Sequence, residues 1–126
     1  MAKKYGTALN CIDGRTQIPV INWMKENFSV EYVDLITEPG MDKVLSQGEW
    51  AETERIKEKV VISITAHASK VVVVVGHYDC AANPVCACKH FRDIVASTRL
   101  VEGWGLPVRV VGLWVDETWT VHVVGL

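Results

Sequence analysis

The sequence has no apolar run that approaches the roughly 20 residues needed to cross a bilayer. Its most concentrated apolar stretch is the run of valines at residues 71–75. It also lacks, near its first residue, the apolar segment typical of a secretory signal peptide. These two absences favour neither a membrane protein nor a secreted one, and we expect a cytoplasmic location.

The sequence also lacks a large excess of positive or negative charge. The 13 Lys and Arg residues nearly balance the 15 Asp and Glu residues, and the formal net charge at pH 7 is -2. Nucleic acids and anionic membranes bind basic surfaces, so neither is the expected partner.

Cysteine is scarce, with four residues in the chain. Disulfides rarely persist in a reducing compartment, so we expect these residues to be metal ligands or reduced thiols. Apolar residues, in contrast, make up 49% of the chain and charged residues 22%. A globular chain of this length is one ordinary domain, and we expect a single domain over residues 1–126.

Strand and helix patterns alternate along the chain. Strand patterns cover residues 5–10, 30–36, 70–75, 108–115 and 119–124, and helix patterns cover residues 16–28, 41–47, 49–69 and 88–102. This alternation predicts an α/β fold with a mainly parallel central sheet, of order about 2-1-3-4, flanked by helices. The last two strand patterns predict a hairpin, which makes the C-terminal strand antiparallel. The first helix is expected to be capped by Thr16.

Side chains that bind zinc follow two of these strands. His77 and Cys80 come directly after the valine strand, which is expected to be buried on both faces, and Cys11 comes after the first strand. Sites in parallel sheets form beyond the carboxyl ends of the strands. Imidazole and thiolate are ligands that zinc prefers. If the two strands are neighbours, the sequence predicts a zinc site at this edge.

These two segments carry a resemblance to a known family. Residues 11–15 read CIDGR and residues 76–80 read GHYDC. The pattern C-x-D-x-R after a first strand, with G-H-x-x-C after a later valine-rich strand, resembles the β-class carbonic anhydrases. The closing strands of that family are also similar to residues 111–116 and the strand that follows.

The resemblance implies that Cys11, His77 and Cys80 bind Zn²⁺ and that water or hydroxide takes a fourth position. The implied activity is reversible hydration of CO₂ to bicarbonate, or of an analogue such as COS or CS₂. Asp13 would accept a hydrogen bond from that water, and Arg15 would hold Asp13 in place. In the family's resting form the aspartate binds zinc directly, which leaves two roles open for Asp13. The family also implies a homodimer or a larger homo-oligomer.

Two other functions stay open. Cys86 and Cys88 lie close to the motif, and one of them could complete a closed, structural zinc site. They could also form a redox pair near a helix N-terminus, or be buried thiols of the core. The family usually has a longer helical arm before its first cysteine than the ten residues found here. The alternatives are therefore a non-catalytic zinc- or bicarbonate-binding protein, or a thiol redox protein that uses Cys86 and Cys88. His90 is expected on the surface.

Overall fold

A computed structural model describes residues 3–125 of the chain. The strands are β1 (Tyr5–Asn10), β2 (Tyr32–Thr37), β3 (Val71–His77), β4 (Arg109–Val115) and β5 (Val121–Val123). The helices are α1 (Gly14–Phe28), α2 (Met41–Gln47), α3 (Trp50–His67) and α4 (Ala87–Gly103).

The strands form one sheet in the order β2-β1-β3-β4-β5. β1 pairs in parallel with β2 and β3, β3 pairs in parallel with β4, and β4 pairs antiparallel with β5. The prediction of an α/β fold with a mainly parallel sheet and an antiparallel C-terminal strand is confirmed. The first strand and the valine strand are indeed neighbours.

β3 is buried along its whole length because both faces of the sheet are covered. Val71, Val73 and Val75 face a core that contains residues of α1 and β4. Val72 and Val74 face a second core that contains residues of α2, α3 and α4. Alternate side chains of a strand point to opposite faces, so an unbroken valine run suits a strand between two cores.

The N-terminus of α1 differs from the prediction. The capping residue is Asp13 rather than Thr16, and the Asp13 carboxylate accepts a hydrogen bond from the Arg15 amide at 3.0 Å. Thr16 is buried instead, and its hydroxyl donates to the Asp13 carbonyl at 2.8 Å. Aspartate is as good an N-cap as threonine, and the earlier helix start places the carboxylate at the edge of the sheet.

None of the helices described over residues 3–125 is long and apolar enough to cross a membrane.

A pair of glycine substitutions tests the packing of α4 on β4. A Cβ atom at Gly112 would lie 2.7 Å from Ile94 Cγ2 and 3.3 Å from Thr98 Cγ2, whereas one at Gly103 would meet nothing within 4 Å. We expect Gly112→Ala to lower the free energy of unfolding by about 1–3 kcal/mol through overpacking. Gly103→Ala, at the end of α4, is expected to raise it by about 0.5–1 kcal/mol. Urea unfolding followed by circular dichroism measures both, and equal stabilities would contradict the packing described here.

Candidate metal centre

The three cysteine and histidine side chains predicted to bind a metal lie together at the carboxyl edge of the sheet. Cys11 follows the last residue of β1, His77 is the last residue of β3, and Cys80 lies in the turn after β3. The two sulfurs and a ring nitrogen all lie within 4.8 Å of one another. The exposed fraction of these residues is 5%, 1% and 3%, so the group is shielded from solvent.

The ring of His77 is fixed by its backbone neighbour. Its Nδ1 lies 2.7 Å from the Tyr78 carbonyl oxygen, which can only accept, so Nδ1 carries the proton and donates. Nε2 has no hydrogen-bond partner of good geometry among residues 3–125 and lies on the side of the Cys11 sulfur. A histidine that donates from one nitrogen and is unpartnered at the other is in the tautomer that binds a metal.

The surroundings of Cys11 favour its thiolate. A hydrogen bond from the Cys80 thiol, and then the nearby His77 ring and the Gly40 amide, outweigh burial and lower the pKa of Cys11. The Gly40 nitrogen lies 3.4 Å from the Cys11 sulfur. Burial is the largest single influence on His77 and lowers its pKa. The contacts with Cys11 and the Tyr78 carbonyl, together with the charges of Cys11 and Asp13, outweigh burial, so the pKa of His77 is raised. The thiolate is the form of cysteine that binds metals.

The thiol of Cys80 keeps its proton and shares it with the Cys11 sulfur in a hydrogen bond. Its pKa is raised, chiefly because its thiol donates to Cys11 and also because it is buried. The nearby backbone amides of Asn83 and Ala82 act in the opposite direction and lower the pKa of Cys80. A cation between the two sulfurs would replace the shared proton.

The donor atoms fit zinc in kind and in spacing. Zinc takes sulfur at about 2.3 Å and nitrogen at about 2.0–2.1 Å, which puts tetrahedral donors about 3.5–3.8 Å apart. The three donor atoms lie within 4.8 Å of one another, so a contraction of at most about 1 Å brings them to this spacing. Two sulfurs and one imidazole suit zinc better than magnesium or calcium, which prefer oxygen.

Asp13 and Arg15 pair beside this group. The Arg15 guanidinium donates to both carboxylate oxygens of Asp13, from Nη2 at 2.7 Å and from Nε at 3.1 and 3.2 Å. This contact lowers the pKa of Asp13 to about 2, so the carboxylate is charged at neutral pH. The oxygens of Asp13 do not belong to the group of donor atoms within 4.8 Å.

Arg15 has further partners that the sequence did not reveal. It donates to the carboxylate of Asp79 at 3.3 Å and to its carbonyl at 3.1 Å, and it stacks over the Trp119 ring at 4.6 Å. Asp79 lies between His77 and Cys80 in the turn, with a φ of 57°. Arg15 therefore connects Asp13 to the turn that carries two of the three donors. Only the sheet order brings these residues together, so no local signal pointed to Asp79.

Cys86 and Cys88 take no part in this group. Both are exposed, whereas Cys11 and Cys80 are buried. Among residues 3–125, the only group of three or more possible donors joins Cys11, His77 and Cys80. The expectation that both thiols are buried in the core is wrong, because Cys86 caps α4 at the surface and Cys88 lies on an exposed side of its first turn.

Comparison with known proteins agrees with this fold. A sequence model of a protein family described as "Putative carbonic anhydrase" matches residues 1–125. No curated protein sequence gives a significant match.

Two solved structures with a similar fold are β-carbonic anhydrases. One is a tetrameric β-carbonic anhydrase of the filamentous ascomycete Sordaria macrospora, with a TM-score of 0.57 and 12% identity over 100% of this chain and 82% of the other. The second is the β-carbonic anhydrase CafA of Aspergillus fumigatus, with a TM-score of 0.51 and 14% identity over 96% and 76% of the two chains. At such identities the likeness concerns the fold.

The burial of the thiols predicts two classes of reactivity. In native protein without metal, we expect a short alkylation to modify Cys86 and Cys88 and to leave Cys11 and Cys80 unmodified, because buried sulfurs are not accessible to the reagent. Peptide mass spectrometry identifies the modified residues. The Cys86→Ser/Cys88→Ser double variant should lose the fast reaction, and unfolded wild-type protein should react at all four thiols. Fast modification of Cys11 or Cys80 would contradict the burial.

Proposed function

Because the chain belongs to the putative carbonic anhydrase family, we propose that it is a zinc-dependent lyase that reversibly hydrates CO₂ to bicarbonate. The observation that carries the proposal is the buried group of Cys11, His77 and Cys80, with the charged carboxylate of Asp13 beside it. The two structural neighbours support the same reaction through their fold.

The proposed metal ligands are Cys11, His77 and Cys80. Zinc held by three protein side chains keeps a fourth position open, as in catalytic rather than structural sites. When bound, zinc would lower the pKa of a coordinated water to about 7, a value best known from carbonic anhydrase itself, and would so make hydroxide available near neutral pH. The exposure of Cys86 and Cys88 supports an open position, because neither lies with the three donors.

The proposed role of Asp13 is to orient the nucleophile. Its pKa of about 2 leaves it an acceptor at neutral pH, so it can take a hydrogen bond from a water or hydroxide next to the three donors. Arg15 holds both carboxylate oxygens and is itself held by Asp79, which limits the movement of Asp13 toward the donors. This favours Asp13 as an orienting group rather than as a fourth ligand.

We also propose that the protein works as a homodimer or a larger homo-oligomer. The Sordaria macrospora neighbour is tetrameric. In this chain Ile12 and Ile18 are apolar and exposed, and they flank Asp13 and Arg15 in sequence. A second subunit placed there would cover apolar surface next to the site.

Metal analysis tests the proposed ligand set. Purified protein should contain about one zinc ion per chain, because three donors at this spacing hold zinc tightly. The Cys11→Ala variant should lose the metal, since it keeps two donors only. The Cys86→Ser/Cys88→Ser variant is the matched control and should retain zinc at the wild-type level. Loss of zinc in the control, with zinc kept in Cys11→Ala, would refute the ligand set.

Stopped-flow measurement of CO₂ hydration tests the activity. We expect zinc-loaded wild-type protein to accelerate hydration well above the Cys11→Ala variant. Asp13→Asn keeps the size and capping ability of the residue but loses its charge, and it should lower kcat about 10- to 100-fold without loss of zinc. Wild-type rates equal to those of Cys11→Ala would exclude CO₂ hydration. Turnover of COS or CS₂ in the same assay would then identify an analogue as the substrate, and no turnover at all would favour the non-catalytic zinc- or bicarbonate-binding protein.

A further inference from the structure

A cluster of buried polar side chains lies behind Cys80, and the proposed reaction makes no use of it. The cluster consists of Asp42, Asn83 and Asp93, whose exposed fractions are 1%, 2% and 2%. The Asn83 amide nitrogen donates to Asp42 Oδ1 at 3.1 Å and to Asp93 Oδ2 at 3.1 Å. One side chain in the loop after Cys80 thus joins carboxylates on two helices, α2 and α4.

The two carboxylates are themselves fixed. Asp42 Oδ2 lies 2.6 Å from His90 Nδ1, and the Asp42 carbonyl accepts from the Ser97 hydroxyl at 3.0 Å. Asp93 accepts a hydrogen bond from Lys89, one turn earlier on α4. Buried polar groups of this kind are costly unless each finds a partner, so removal of one member affects the others. The two carboxylates that bind the Asn83 side chain are therefore held in place by other contacts.

The cluster is linked through the backbone to the amides that lie nearest to the two sulfurs. The backbone amides of Ala82 and Asn83 act on Cys80, and the Gly40 amide donates to Cys11. Gly40 also packs against Ala82, where an added Cβ would lie 3.1 Å from the Ala82 Cβ. Its φ of +64° is a conformation that glycine adopts without strain. The backbone segments next to the two sulfurs therefore touch each other.

From this geometry we propose that Asn83 is a positioning residue of the metal centre. Its side chain fixes the loop that carries Cys80 against the turn that contains Gly40, and this contact sets the distance between the Cys80 and Cys11 sulfurs. The inference rests on the proposed function only in that it takes Cys11 and Cys80 as metal ligands. Outer partners that orient metal ligands typically change metal affinity about 10- to 100-fold when they are removed.

The test measures metal affinity in folded protein. We expect Asn83→Ala to bind Zn²⁺ about 10- to 100-fold more weakly than wild type, in competition with a chromophoric chelator. In the Co²⁺-substituted variant, the sulfur-to-cobalt charge-transfer bands should be weaker and shifted, because the Cys80 sulfur is no longer held in place. A role confined to stability would leave these bands unchanged.

Two control variants separate positioning from stability. Asn27→Ala removes an exposed amide that donates to the Trp23 carbonyl at 2.9 Å on α1, and it should leave zinc affinity unchanged. Val60→Ala opens a cavity in the core beside α3 and should destabilise the protein without a comparable loss of affinity. If Asn83→Ala does not fold, Asn83→Ser is measured in its place, and the same outcomes apply.

The outcomes distinguish this inference from the proposed function. Unchanged zinc affinity and unchanged cobalt bands in the Asn83 variant would overturn the positioning role, even if the wild type hydrates CO₂. Weaker binding in that variant would support the role, even if the wild type hydrates no CO₂. Wild-type protein that binds no zinc would contradict both proposals.

Discussion

The parallel pairing of β1 with β3 is the contact on which the candidate site depends. Leu9 pairs with Val74, so the chain leaves β1 at Cys11 close to the point where β3 ends at His77. A slip of one residue would move one donor by about 3.3 Å along the strand. That shift is almost as large as the separation of about 3.5–3.8 Å between tetrahedral zinc donors. The two cores that cover β3 thus determine the geometry of the site.

Negative charge exceeds positive charge at this edge of the sheet. The pKa of Cys11 is lowered, which favours its thiolate, and the pKa of Asp13 is lowered to about 2, so its carboxylate is charged at neutral pH. The guanidinium of Arg15 pairs with the carboxylates of both Asp13 and Asp79. The Cys11 sulfur has the Cys80 thiol and the Gly40 amide as neutral donors. A divalent cation is the partner that this distribution of charge favours.

The sequence supported the fold and the three donor residues because their signals are local. An unbroken valine run predicts a strand buried on both faces, and two cysteines and a histidine at strand ends predict a metal site at the carboxyl edge of the sheet. Cap choice was harder, since Asp13 and Thr16 are both good capping residues and lie three positions apart. Sequence patterns do not predict individual contacts across the sheet, such as the one between Arg15 and Asp79, which are 64 residues apart. His90 was expected on the surface and is 1% exposed, because its partner Asp42 is 48 residues away.

Asp42 also holds both ends of the segment that carries Cys86 and Cys88. It binds Asn83 through one carboxylate oxygen and His90 through the other. Both residues are buried, and residues 84–88 between them are all exposed. The segment that carries Cys86 and Cys88 is therefore anchored at each end by one buried carboxylate and runs outside the fold between the anchors. Between the anchors both thiols are exposed, and neither belongs to the group formed by Cys11, His77 and Cys80. The buried contacts of Asp42 thus hold the two ends of the segment in the fold while its two thiols lie on the surface, because a buried carboxylate is costly without its partners.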